Sequence, residues 1–320
     1  MAAIVLITGG TGFLGSRLAE MLLDEGYHVY IVTHNDDFSK NRVENAKYVP
    51  GDIRISAHGP FVHSNPKIVI HMAAMTPVRF SYDNAWKYYQ TNVVGTANVI
   101  SEAMQFKVQH VVFASTAEVY PYMKQEYYWS EDDNLSITSA SSPYAASKRG
   151  AEEIVKEAGA RGLKYTILRP TNTYGRAIPA LPQESSGYFI EKAVTFMLTR
   201  QNEVLRFDGL PESRRQWMHW RDHISAYMKV IENEKAHGMT FNVAPDAAYS
   251  CQQVVEKLRR MTDFYSDITW GHNPRPIEPN LLLLNPSRIK ELLGWSAKVS
   301  LDEGLADTVK QYRKIMRSPL

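Results

Sequence analysis

Three groups of residues have types and spacings suited to chemistry. Thr8-Gly9-Gly10-Thr11-Gly12-Phe13-Leu14-Gly15 lies between the apolar Ile4-Val5-Leu6-Ile7 and a run from Ser16 with helical spacing. In that strand-to-helix context, backbone amides at a helix N-terminus receive phosphate. Glycine permits the tight turn and lets backbone approach a pyrophosphate. Two registers fit, one through Gly9, Gly12 and Gly15, the other through Gly10, Gly12 and Gly15. Tyr144 and Lys148, four apart behind Ser142-Pro143, put a phenol and an amine on one helix face. Ser115-Thr116 place hydroxyls at the C-terminal end of an apolar run, where open α/β sheets hold their sites. His219 and His223 have the spacing of a zinc helix, but Trp220-Arg221-Asp222 between them lacks the glutamate of H-E-x-x-H. They read as histidines at a helix start, and no metal is expected.

The elements that must position these groups alternate. Short β-rich runs at His28–Thr33, Ala46–Val49, Lys67–Met72, Gln109–Ala114 and Tyr165–Arg169 read as buried strands. Asp83 to Gln105 reads as one long helix, with Tyr82, Trp86, Tyr89, Val93 and Val94 as a stripe for core or subunit interface. Ser142 caps the helix carrying Tyr144, and Pro143 takes its first position. Residues 121–142 read as loop, of the kind that covers a site. This alternation predicts an α/β fold, a Rossmann-type doubly wound parallel sheet over residues 1–170. Beyond 170 the rhythm changes. Helical patterns near 188–200, 221–233, 250–262, 286–293 and 302–316, with strand-like Val204–Phe207, Thr240–Val243 and Ile268–Trp270, predict a smaller mixed lobe over 171–320.

The second strand ends in Thr33-His34-Asn35-Asp36. An acidic residue at that point binds a ribose 2′-OH and repels a 2′-phosphate. Here acids come only at Asp36 and Asp37, with His34, Lys40 and Arg42 nearby, so NAD and NADP both stay open.

Bulk properties exclude several classes. With 320 residues, 44% hydrophobic and 22% charged, the chain can bury a sizeable core. A formal net charge of +2 gives no reason to expect nucleic acid or membrane as a partner. The basic and aromatic patch from Arg214 to Arg221 is one short stretch in a near-neutral chain. Cys251 is the single cysteine, so no intrachain disulfide forms and a reducing, cytoplasmic setting is expected. No signal-peptide pattern and no apolar run of membrane-spanning length is seen.

Taken together, these motifs resemble the extended short-chain dehydrogenase/reductase family, the nucleotide-sugar epimerases and dehydratases. The resemblance runs through the glycine turn, Gly51-Asp52-Ile53, Ala73-Ala74, Asn92-Val93-Val94-Gly95-Thr96 and Ser115-Thr116. It continues through Ser142 to Lys148, Leu168 to Gly175, Arg215-Gln216-Trp217, Arg275-Pro276 and Leu293-Gly294-Trp295. It implies that Tyr144 is the base that takes a sugar hydroxyl proton as hydride leaves for a nicotinamide. Lys148 would stabilise the phenolate and bind the nicotinamide ribose, since a tyrosine near pKa 10 needs a nearby cation to act at neutral pH. Thr116 would hydrogen-bond the reacting oxygen. The implied cofactor contacts are Gly9, Gly12, Phe13, Leu14, Gly15, His34, Asn35, Asp52, Ile53, Ala73, Ala74, Asn92, Ser115, Tyr144 and Lys148. Those to a nucleotide-diphosphate sugar, held in the C-terminal substrate-binding lobe, are Thr76, Thr116, Asn172, Arg215 and Arg275, the arginines being suited to phosphate. A homodimer built from the 83–105 and 143–159 helices is also implied.

Val78-Arg79-Phe80-Ser81 is most like the UDP-sugar 4-epimerases. Such enzymes oxidise C4, turn the keto sugar and return hydride to its other face, which favours tightly held NAD. Glu118 points instead to 4,6-dehydratases or uronate decarboxylases, although Ala117 stands where the partner polar group is expected and Pro121 replaces a usual glycine. An NADPH-dependent 4-keto-sugar reductase ranks third. A non-catalytic dinucleotide sensor would lack the tyrosine and lysine, and here both are present.

Overall fold

The computed structural model describes residues 3–34, 41–135, 140–175, 189–231, 233–271 and 281–317. Among them a seven-stranded, all-parallel sheet runs in the order Lys47–Pro50, His28–Thr33, Ile4–Thr8, Ile68–His71, His110–Ala114, Tyr165–Pro170, Met239–Val243. The strands are short and nearly continuous in apolar residues because helices cover both faces. Their alternation sorts the core. Val5, Ile7, Ile31, Ile70, Val112 and Leu168 face one way, onto Leu18 and Leu22 of the Phe13–Asp24 helix and Ile224 and Val230 of the Trp220–Val230 helix. Leu6, Val32, Val69, Val111, Phe113 and Ile167 face the other, onto Val99 and Ala103 of Gly95–Gln105 and Ala151 and Val155 of Pro143–Ala160.

From Ile4–Thr8 the chain steps outward to two strands, then returns to pair Ile68–His71 on the opposite side. The crevice at that reversal, beyond the strands' C-terminal ends, is where such sheets place ligands.

The expected 83–105 helix is interrupted. Ala85–Tyr88 and Gly95–Gln105 are α-helical, but Tyr89–Val94 between them is a π-turn. The wider turn carries Asn92 into the interior, 1% exposed. Ser142 does cap the next helix: its hydroxyl accepts from Ala145 N at 3.1 Å, with Pro143 at the first position. Part of the stretch read as loop is strand, since Tyr128–Trp129 pairs in parallel with Leu283–Leu284. Two anchors hold it there. Trp129 stacks on Tyr120 at 5.5 Å, and its indole donates to Pro121 O at 3.0 Å.

Beyond residue 170, helices Phe189–Thr199, Cys251–Thr262 and Leu301–Arg317 pack around a separate core that includes Val194, Leu258 and Leu305. A four-stranded sheet, whose Trp129, Leu282 and Leu284 belong to a further small core, and two strand pairs are also present. The chain also returns to the first sheet here, supplying its edge strand Met239–Val243.

Candidate active site

A cavity of about 700 Å³ opens at the crevice. The glycine turn forms one wall and settles the register. A Cβ on Gly15 would lie 2.3 Å from Gly9 O, and one on Gly9, where φ is +77°, would lie 2.6 Å from Ala73 N. Gly12 faces its neighbours less tightly, with a Cβ 3.2 Å from Gly9 O. Gly10 packs away from the cavity, against Ile31. The Gly9, Gly12, Gly15 register therefore lines the cavity with bare backbone, and the Phe13–Asp24 helix directs its N-terminus there. That cradle suits a pyrophosphate.

At one end the wall includes His34, Asp52, Ile53 and Arg54. Arg54 grips Asp52 through hydrogen bonds that include Nε to Oδ1 at 2.9 Å and Nη2 to Oδ2 at 2.6 Å, and holds its carboxyl below the usual range. Arg54 was missed from the sequence, although it stands two residues after Asp52. Ala73, Ala74 and Thr76 continue the wall, together with Phe13 and Leu14. Asn35 and Arg275 lie outside the described residues.

The other end holds Ser115, Thr116, Tyr144 and Lys148. Thr116 accepts from Glu118 N at 3.2 Å and lines the cavity with Tyr144. Burial pushes the Tyr144 phenol up, above its ordinary value, while Thr116 pulls it down. Glu118 and Tyr88 add to the upward push. Lys148 is 3% exposed, its Nζ donating to Ala114 O at 2.5 Å and sitting 4.4 Å from the Phe113 ring centroid. Burial brings its amine down to about 7, opposed by the Glu152 carboxylate. The sequence assigned to Lys148 the lowering of Tyr144. In this structure Thr116 pulls the Tyr144 phenol down, and Lys148 is itself desolvated.

Behind this wall lies a paired network that sequence reasoning did not assign to the site. Glu152, one turn beyond Lys148, accepts from Arg169 Nε at 2.9 Å and Nη2 at 2.6 Å, and from Ser115 Oγ at 2.5 Å. Burial alone would raise Glu152, but Arg169 and Ser115 hold it below the usual range. Arg169 donates to Tyr120 Oη at 2.6 Å, which donates to Asn242 at 2.8 Å. The spacing Tyr144, Lys148, Glu152 was the available signal.

Asn92 does not line the cavity. It props the wall instead, exchanging hydrogen bonds with the Met75 backbone at 2.9 and 3.1 Å and donating to Ser147 Oγ at 2.9 Å.

Other sugar-side candidates stand apart. Glu118 accepts a hydrogen bond from the Tyr122 hydroxyl and is absent from the cavity wall. Arg215 is buried, with its guanidinium 5.8 Å from the Tyr122 ring centroid. Asn172 is exposed, its carbonyl accepting from Met218 N at 2.9 Å. His219 and His223 diverge. His219 Nε2 is 3.4 Å from Asp307, whereas His223 Nδ1 is 2.8 Å from Thr173 Oγ1.

Residues 5–244 match the NAD dependent epimerase/dehydratase family. The chain is 29% identical to a UDP-N-acetyl-alpha-D-glucosaminuronate decarboxylase of Bacillus cytotoxicus, over 97% of this chain and 98% of that one. It is 28% identical to a putative UDP-glucose 4-epimerase of Methanocaldococcus jannaschii, over 96% and 97%. The solved UDP-glucose 4-epimerase of Thermotoga maritima, with UDP-glucose, superposes at a TM-score of 0.86 with 26% identity, covering 98% of this chain and 100% of that one. The chain belongs to the NAD-dependent epimerase/dehydratase family and is an enzyme of the nucleotide-sugar epimerase, dehydratase and decarboxylase group.

Proposed function

We propose that this enzyme is a UDP-sugar 4-epimerase working through a transient 4-keto sugar. The observation that carries the reading is that Thr116, Tyr144 and Lys148 come together in the cavity wall, with the Glu118 carboxylate engaged elsewhere by Tyr122. NAD would supply reversible hydride transfer at the sugar C4. Its bare-backbone cradle would be Gly9, Gly12 and Gly15, with Asp52 and Ile53 at the far end.

Tyr144 takes the O4 proton in the oxidation and gives it back in the reduction. Thr116, in the same wall, favours the phenolate and so helps Tyr144 act as a base. Lys148 sits near its point of titration at neutral pH, so added negative charge nearby draws a proton onto it. The diphosphate would be held by Asn172, Arg215 and Arg275, with Thr76 at the sugar. The absence of an acid at Ala117 leaves Glu118 without the partner that water loss requires.

A second reading, dehydration or decarboxylation using Glu118, has one observation in its favour: the Glu118 charge reaches Tyr144. Mass spectrometry and proton NMR of the products from UDP-glucose, UDP-galactose, UDP-glucuronate and their N-acetyl counterparts, with no cofactor added, separate the two. An isomer of unchanged mass supports epimerisation and names the sugar. Loss of water or carbon dioxide supports the second reading. Conversion only with NADPH and a 4-keto sugar would mean a reductase.

We also propose a homodimer. Trp86, Tyr89 and Val94 leave an exposed apolar face, with Trp86 67% exposed, on the segment expected to pair. A monomer in sedimentation at micromolar concentration overturns it. Among the described residues no helix is long and apolar enough to cross a membrane, and a cytoplasmic setting remains the proposal.

A further inference from the structure

Tyr144 and Lys148 account for one wall of the reacting end. The Trp220–Val230 helix adds His223 and Tyr227 to the cavity lining, four residues apart with ring centroids 5.5 Å from each other. Both are deeply buried, at 5% and 0% exposure. Among the described residues, His223 Nε2 and the Tyr227 hydroxyl have no hydrogen-bond partner. Two unpaired polar atoms in a buried wall are costly unless a ligand meets them.

Their chemistry narrows the ligand. Burial brings His223 down to about 3, so its imidazole is neutral. Thr173 Oγ1 donates to Thr171 O at 3.3 Å, leaving its lone pair to receive the His223 Nδ1 proton at 2.8 Å. Nε2 then keeps an unpaired lone pair, on a residue that lines the cavity. Tyr227 keeps its proton, because burial raises its phenol and the nearby Tyr144 adds to that. The pair is therefore one acceptor and one donor, without charge. A phosphate would find no cation here, and a carboxylate would face the lone pair. A primary amide fits, its N–H to Nε2 and its carbonyl to the Tyr227 hydroxyl.

We propose that His223 and Tyr227 are a subsite for the carboxamide of the nicotinamide, fixing which face of the ring meets the sugar. The assignment rests on the family's NAD dependence and on Tyr144 marking the reacting end. It is independent of which sugar is turned over. Both residues are positioning residues in this account: they hold the ring and leave the proton and hydride chemistry to others.

The test is binding, measured by calorimetry on the full chain with three probes: NAD, its 3-acetylpyridine analogue and ADP-ribose. The analogue keeps the carbonyl but has a methyl group in place of the amide nitrogen, and ADP-ribose lacks the ring. The wild-type chain should prefer NAD to the analogue by about tenfold, the worth of one buried hydrogen bond. His223→Leu should abolish that preference. Tyr227→Phe should weaken NAD and the analogue alike, again by about tenfold. Neither variant should change ADP-ribose affinity, which also shows that it is folded. His223→Gln, which retains an acceptor, should keep part of the preference. Persistence of the preference in His223→Leu overturns the proposal, as does equal weakening of all three probes. Failure of the wild-type chain to bind NAD at all would overturn the NAD dependence beneath it.

Discussion

The Pro143–Ala160 helix carries two regions that invite comparison. On its first two turns, Tyr144 and Lys148 face the cavity, buried and pushed away from their ordinary ionisation by desolvation. One turn further, Glu152 is as deeply buried, yet its oxygens take hydrogen bonds from Arg169 and Ser115, and its carboxyl is held in the charged form. The same burial has opposite consequences. Where partners are complete, the charge is locked and serves the fold. Where they are incomplete, protonation is free to change, and proton transfer becomes available.

The comparison breaks if the two regions respond alike to substitution. Tyr144→Phe should lower kcat by about 10³-fold, the scale of a lost general base, and move the melting temperature little. Glu152→Gln should do the reverse, destabilising the fold by about 3–5 kcal/mol by leaving the Arg169 charge buried and unpaired. Thermal melts and turnover of both variants decide this. A Tyr144→Phe enzyme with unchanged turnover would sink its assignment as the base.

Lys148→Met sharpens the contrast from the other side. Its turnover should fall by about 10²-fold. Its effect on stability should depend on pH. Lys148 titrates near 7 in the folded chain against an ordinary 10.5, so the unfolded chain binds more protons between those values. Stability of the wild-type chain without cofactor should therefore rise from about pH 7 towards pH 10. Below pH 7 the cost of the buried charge is present in full. Denaturant melts across that window should give a flatter slope for Lys148→Met. An identical slope would contradict the desolvated lysine.

Glu118→Gln should have the smallest effect. With the carboxylate engaged by Tyr122, epimerisation should survive well above the roughly hundredfold loss that removal of a general base causes. A larger loss, read as initial rate on the accepted sugar, would return Glu118 to the reacting atoms.

Much of this was legible in the residues because it is local. The glycine turn, the Ser142 cap and the Tyr144–Lys148 spacing each lie within one turn or one strand end, and apolar alternation marks the central strands. Short strand pieces such as Leu205–Asp208 and Ile268–Gly271 were visible for the same reason. What stayed hidden is set by tertiary contact. The π-turn at Tyr89–Val94 preserves a helical-looking pattern while shifting Asn92 inward. Glu152 meets Arg169 only once strand and helix pack. Tyr128–Trp129 reads as loop because two residues carry no periodicity, and only their partner strand makes them a strand. His223 drew notice for a metal-like spacing with His219, yet its significant neighbour is Tyr227, on the same helix.

The central claim, that Tyr144 and its neighbours run a reversible oxidation at one sugar carbon, is tested most directly by the fate of a label. A UDP-sugar carrying deuterium at C4 should yield an isomer of unchanged mass with the deuterium still at C4, because hydride leaves and returns to the same atom. Deuterium moved to C6 with loss of water, or a product short of carbon dioxide, would contradict it.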